Sequence, residues 1–157
     1  MQQTTQARYA FSQAIVLQKK VLVEVSRPEN YAVTHKFDEE DRNLMATRKA
    51  TELSALGDYY AGAGDSERAK QSYLQAIRED PDKQGCDLAL TGLAGVCIKG
   101  NDVGGAFTTV YNGMVLGQRQ NPEAAAWYIL STAYANAGKD GASDWCFRKA
   151  MSLGSRR

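Results

Sequence analysis

The sequence predicts an all-α chain of helix pairs stacked one upon the next, and three observations carry that prediction. Leu53 to Pro81 reads as two amphipathic helices with a turn between them. Leu53, Leu56, Gly57 and Tyr60 stripe the first, Ala69, Tyr73, Ala76 and Ile77 stripe the second, and Gly62, Gly64 and Asp65 break the chain between. The pattern then recurs, with units opening at Ala50, Asp87 and Ala124, 37 residues apart both times. Within the first pair, large residues on one helix face small ones on the other, so the two can approach closely.

Taken in order, the chain opens with a helical period through Ala7, Phe11, Ala14, Ile15, Gln18, Leu22 and Val25. Ala7 to Ile15 parallels Ala69 to Ile77, so the chain is expected to begin with a second helix that lacks its first. Val21 to Val25 also has the alternation of a strand, which would continue through a hairpin at Arg27 to Asn30 into Tyr31 to Phe37; helix is the favoured reading. Arg27 to Phe37, broken by Pro28 and Asn30, reads as a connector. Asp38-Glu39-Glu40-Asp41 then precedes a periodic segment through Leu44, Thr47 and Ala50. Four acids could hold a metal or do acid–base work, but acids also cap a helix start and suit its positive dipole end, and no second acidic or histidine cluster meets them.

The first complete pair ends at Asp80-Pro81, where proline disfavours helix in the residue before it. In the second, Leu90, Leu93, Ala94 and Cys97 form one stripe and Ala106, Val110 and Gly113 the other. In the third, Trp127, Leu130, Ser131 and Tyr134 are followed by a turn at Gly138 and then by Ser143, Phe147 and Ala150. The expected organisation is an N-terminal helix and connector over 1–37, then three repeats over 38–157, at about 50–83, 87–120 and 124–157.

Composition excludes several classes of function. The chain has 157 residues, enough for one domain with a real core, and a formal net charge of +1, so no global field recruits nucleic acid or an anionic membrane. No apolar run approaches the roughly 20 residues that a membrane span needs. Met1-Gln-Gln-Thr-Thr-Gln lacks the basic start and apolar middle of a signal peptide, although a mature chain cut from its leader would also open this way. Cys86, Cys97 and Cys146 are odd in number and irregular in spacing, which argues against a disulfide framework and for a reducing compartment. They also lack the close pairing of zinc sites. His35 is the single histidine, in a connector, with no nucleophile placed beside it by a local motif. The glycines at 92, 95, 100, 104 and 105 follow no strand and precede no Lys-Ser/Thr, so they are turn and packing glycines rather than a phosphate loop. No cofactor, metal or catalytic residue is expected.

In the order of its large, small and turn residues, the chain resembles the tetratricopeptide repeat family. The resemblance implies a right-handed superhelix whose concave groove, lined chiefly by first helices, binds a peptide or helix. Mapped onto this sequence, inward positions are Thr51, Ser54, Asp58 and Ala61, then Leu88, Thr91, Gly95 and Ile98, then Ala125, Tyr128, Thr132 and Ala135. Some members grip an acidic chaperone terminus with lysine, asparagine and arginine; the matching places here hold Ser54, Asp58, Gly92, Ala125 and Ile129, which cannot grip a carboxylate. The implied function is a non-enzymatic scaffold for a protein or peptide partner, such as a pilus or secretion assembly factor, either cytoplasmic or, as a leaderless mature form, periplasmic. A self-assembling subunit or a cytoplasmic secretion chaperone is the alternative. Phe107, Tyr111 and Trp145 suggest a second contact surface, because Cys86 to Asn121 carries few charges and Trp145 lies off its own core stripe. Met151 and Leu153 add apolar surface beside Trp145, so the C-terminal end is a candidate homodimer contact.

Overall fold

The computed structural model describes residues 2–31, 37–80 and 84–155, with the side chains of 2–4 and 84–85 outside the description. The described residues form seven α-helices: α1 (Gln2–Val25), α2 (Glu39–Ala63), α3 (Ser66–Glu79), α4 (Gln84–Lys99), α5 (Val103–Leu116), α6 (Pro122–Asn136) and α7 (Asp140–Gly154), with one 3-10 turn at Pro28–Asn30. The fold is an all-α solenoid of helix pairs, as the stripes predict. No described helix is long and apolar enough to cross a membrane.

The helix boundaries follow from local chemistry. The acidic cluster is a helix start: the Asp41 N–H donates to Asp38 Oδ1 and the Asp38 N–H to Asp41 Oδ2, both at 3.1 Å, a reciprocal capping box. Asp65, Asp102 and Asn121 cap α3, α5 and α6 through their side-chain oxygens, each accepting one backbone N–H. The turn inside each pair is the same device used three times. Gly64, Asn101 and Gly138 stand 37 residues apart and all take left-handed backbone, at φ 84°, 61° and 67°. Asparagine is among the few non-glycine residues that visit that region readily. The N–H one residue further on (Asp65, Asp102, Lys139) then donates to the carbonyl of Tyr60, Cys97 or Tyr134, closing the helix end at 2.9–3.0 Å.

Each helix packs on the next, and the first helices of the pairs also pack on one another, α2 on α4 and α4 on α6. That arrangement gives an inner layer of α2, α4 and α6 and an outer layer of α3, α5 and α7. The core runs along the seam between them. Leu53, Leu56, Tyr60, Tyr73, Leu90, Leu93, Val110, Met114, Leu130 and Tyr134 are buried in one continuous cluster. Tyr73 is its largest knob. A Cβ on Gly57 or on Gly92 would stand 2.5 Å from the Tyr73 ring, so the two glycines admit this side chain between α2 and α4.

Val21 to Val25 is helix, the favoured reading: Val25 is buried and Leu22 half-buried, and α1 lies along α2. Other expectations fare differently. The hairpin's second arm and His35 fall at residues outside the description. The helix start expected at Asp38 is present, and the segment through Leu44, Thr47 and Ala50 runs without a break into the first pair as α2. Phe147, read as core, is 46% exposed; α7 buries Cys146 and Ala150 instead. Trp145 does lie off that buried stripe, but its ring meets Trp127 edge-on at 5.2 Å, on the flank of α7 that faces α5.

Candidate functional site

The inner layer encloses a cavity of about 510 Å³, open to solvent, into which α2, α4 and α6 all contribute. Thr51, Ser54, Asp58 and Ala61 line it from α2, and Leu88, Thr91 and Gly95 from α4. Their positions follow from helical geometry, since residues three and four apart share a face. The walls are small where the helices cross: Ala55, Gly92, Gly95 and Ala133 leave room for a bulky guest. Leu88 is 57% exposed, a large apolar side chain standing free in the groove. At the floor the Tyr73 hydroxyl donates to Asp58 Oδ1 at 2.6 Å, fixing the carboxylate from behind. Burial, then the Asp58 hydrogen bond and charge, push the Tyr73 pKa far above its ordinary value, so the hydroxyl stays a donor throughout the physiological range.

Other inward positions do not reach this cavity. Ile98 is 1% exposed and belongs to the core, because the inward stripe of α4 passes from Gly95 to Lys99, four residues on, and leaves Ile98 on the buried side. Tyr128 and Thr132 are exposed but do not line the cavity; the Tyr128 ring lies 6.3 Å from Phe147. The sequence reading missed Phe11, Lys99 and Asn136, which do line it. Phe11 reaches the groove from α1, its ring placed where a Cβ on Gly62 would be 2.5 Å away. Lys99 and Asn136 continue the inward stripe at the ends of α4 and α6, where mapping by internal positions had stopped.

A second concavity, about 390 Å³, opens on the outer layer between α5 and α7. Phe107, Trp127 and Trp145 line it, with Leu130 and Tyr134 beneath and Val103 at its rim. Phe107 stacks on Tyr111 at 5.9 Å and meets Trp127 at 4.6 Å. The proposed contact residues Phe107, Tyr111 and Trp145 thus belong to one aromatic chain through Trp127. The register shows why only this junction has it: Lys70 and Thr108 hold the matching places one unit earlier.

The charged groups lining the inner groove are Asp58 and Lys99. Among the described residues no cluster of histidine, cysteine, aspartate and glutamate could hold a metal ion. Cys86, Cys97 and Cys146 are buried and not joined by disulfides. Burial raises the Cys97 and Cys146 thiol pKa values, which keeps both protonated and unreactive. Asp87, raised by burial and opposed by its partner, pairs with Arg119 at 2.8 Å and ties the start of α4 to the loop after α5.

The described residues form a helix-pair solenoid with an open groove on its inner layer. Residues 48–83 match the family model of the tetratricopeptide repeat. Over 104 residues the chain is 31% identical to the cellulose synthase operon protein C of Pseudomonas fluorescens (strain SBW25). That match takes in 64% of this chain and 7% of the relative, so the chain spans a small part of that protein's length.

Proposed function

We propose that this protein is a non-enzymatic scaffold that binds a segment of a partner protein along its inner groove, through Thr51, Ser54, Asp58, Leu88 and Thr91. One observation carries the reading: the cavity is shared by three successive first helices, with Leu88 exposed in its lining among small residues. A lining of glycine, alanine and hydroxyl side chains suits an extended apolar peptide or a helix that approaches closely, and Leu88 offers it an anchor. Asp58 and Lys99 give the groove one charge of each sign, which sets the direction in which a peptide lies. The setting we favour is an assembly machine, such as a pilus or secretion system. Likeness to a protein of a cellulose synthase operon supports such a setting.

Site-specific photo-crosslinking in the source cell tests the groove. A photoreactive residue at Leu88 or Thr91 is expected to capture a discrete protein that one at Gln71, on the exposed side of α3, does not. Equal capture from both faces would contradict the proposal.

A further inference from the structure

The hydroxyl groups of the inner groove have already spent their protons. Thr51 Oγ1 donates to the Thr47 carbonyl at 2.9 Å, Ser54 Oγ to that of Ala50 at 2.9 Å, and Thr91 Oγ1 to that of Asp87 at 2.7 Å. A hydroxyl bonded back to the preceding turn has only lone pairs left for a ligand. The backbone N–H groups along these stretches are used within the helices themselves. Asp58 is an acceptor as well. Its Oδ1 takes the Tyr73 proton, and among the described residues no cation pairs with the carboxylate. The wall built by α2 and α4 thus offers its guest acceptors, and no free donor short of Lys99.

The two charges in the lining are also held differently. Lys99 is exposed, at the last position of α4, on a long flexible stem that lets its ammonium leave the groove. The Asp58 carboxylate sits on a short side chain and is tied at 2.6 Å to a tyrosine that cannot move, because the Tyr73 ring is 2% exposed and closely flanked by Gly57 and Gly92. A charge held in place beforehand needs little ordering when a ligand arrives. The fixed charge of the groove is negative. There is also room in front of it. Gly95 holds the place of Asp58 one unit later, 37 residues on, so α4 presents no side chain at that level, and a Cβ added to Gly95 would meet nothing within 4 Å.

Taking the groove as the partner-binding surface, we infer that its guest is a protein segment carrying a lysine or arginine, whose charged group enters over Gly95 and pairs with Asp58 while an apolar neighbour covers Leu88. The guest brings the donors that this wall lacks, and charge complementarity selects it.

The probe is a phage-displayed library of random short peptides, panned on the immobilised full chain, with selected peptides resynthesised and their affinities measured by fluorescence anisotropy. The pool is expected to hold lysine or arginine at one position, beside apolar residues. Replacing that basic residue by norleucine, which keeps the stem and removes the charge, should weaken binding roughly tenfold or more, the scale of a hydrogen bond to a charged group. In Asp58→Asn, which keeps an acceptor for Tyr73, the basic and norleucine peptides should bind alike, the coupling expected of a direct pair. Glu67→Gln, an equal loss of charge on the exposed side of α3, should preserve the difference. Leu88→Ala should weaken both peptides together. Peptides that respond to Leu88→Ala yet do not distinguish the basic residue from norleucine would leave the groove standing and overturn this inference. So would a pool of acidic peptides whose binding depends on Lys99. If no selected peptide responds to Leu88→Ala, the groove itself is removed as the binding surface and the inference with it.

Discussion

Gly92 and Gly95 lie one turn apart on α4 and should respond in opposite ways to the same substitution. Alanine is better than glycine in a helix interior by about 1 kcal/mol. At Gly95 nothing stands within 4 Å of an added Cβ, so Gly95→Ala should raise stability by up to roughly that amount. At Gly92 the new methyl meets the Tyr73 ring, held by Gly57 on one side and by its bond to Asp58 at the tip. Overpacking of this kind costs about 1–3 kcal/mol, so Gly92→Ala should be net destabilising. Urea denaturation of the two variants checks the sign of each. Tyr73 also makes stability depend on alkaline pH. Its folded pKa is raised, so the folded state keeps the phenol proton while the unfolded chain loses it near the ordinary value of 10.0. Unfolding then releases a proton, and above pH 10 stability falls by roughly 1.4 kcal/mol per pH unit from this residue. Tyr73→Phe should lose the hydrogen bond at neutral pH and flatten that slope, which denaturation at pH 9 and 11 measures.

Among the elements, α5 is expected to be the weakest. Gly104, Gly105 and Gly113 lie within it, and Thr108 and Thr109 add β-branched residues that also disfavour helix. Its first turn is held by Asp102, whose Oδ1 accepts from the Gly105 N–H at 2.8 Å. In a repeat stack each unit is stabilised mainly by its neighbours, so a weak unit opens before the whole. Backbone amides of Phe107 to Val115 should exchange faster than those of Ala69 to Ile77, and Asp102→Ala should widen the gap by about 0.5–2 kcal/mol. Stronger protection in α5 than in α3 would contradict this ranking. The stripes that define α2 to α7 were legible in the sequence because each element has an apolar face of helical period. What periodicity cannot show is whether a face has a neighbour. Phe147 occupies a core position by pattern and is exposed because no described helix covers it. The joining of Asp38 to Asp41 onto the repeat was also hidden, since a capped start looks the same before a short helix as before one of 25 residues.

At the scale of the whole molecule, the inner groove results from stacking three first helices whose inward faces carry small or hydroxyl-bearing residues. Thr51, Ser54, Asp58, Leu88 and Thr91 could be placed there from register alone, because a constant repeat length keeps the same positions facing inward. Register failed at two positions. Ile98 is buried in the core while Lys99 beside it lines the groove, and Tyr128, in the middle of α6, lies near Phe147 rather than over the groove. Tyr128→Ala is accordingly expected to leave groove binding unchanged. The bond between Tyr73 and Asp58 joins two helices 15 residues apart in the chain and has no sequence signature. The most direct test of the central claim is the affinity of the partner captured at Leu88, measured by calorimetry for the wild type, for Leu88→Glu and for Gln71→Glu. Leu88→Glu replaces an exposed apolar side chain of the groove lining by a charge and should weaken binding at least tenfold, the scale of a lost apolar anchor, whereas Gln71→Glu should not change it. Unchanged affinity in Leu88→Glu, with the fold intact, would remove the groove as the binding surface.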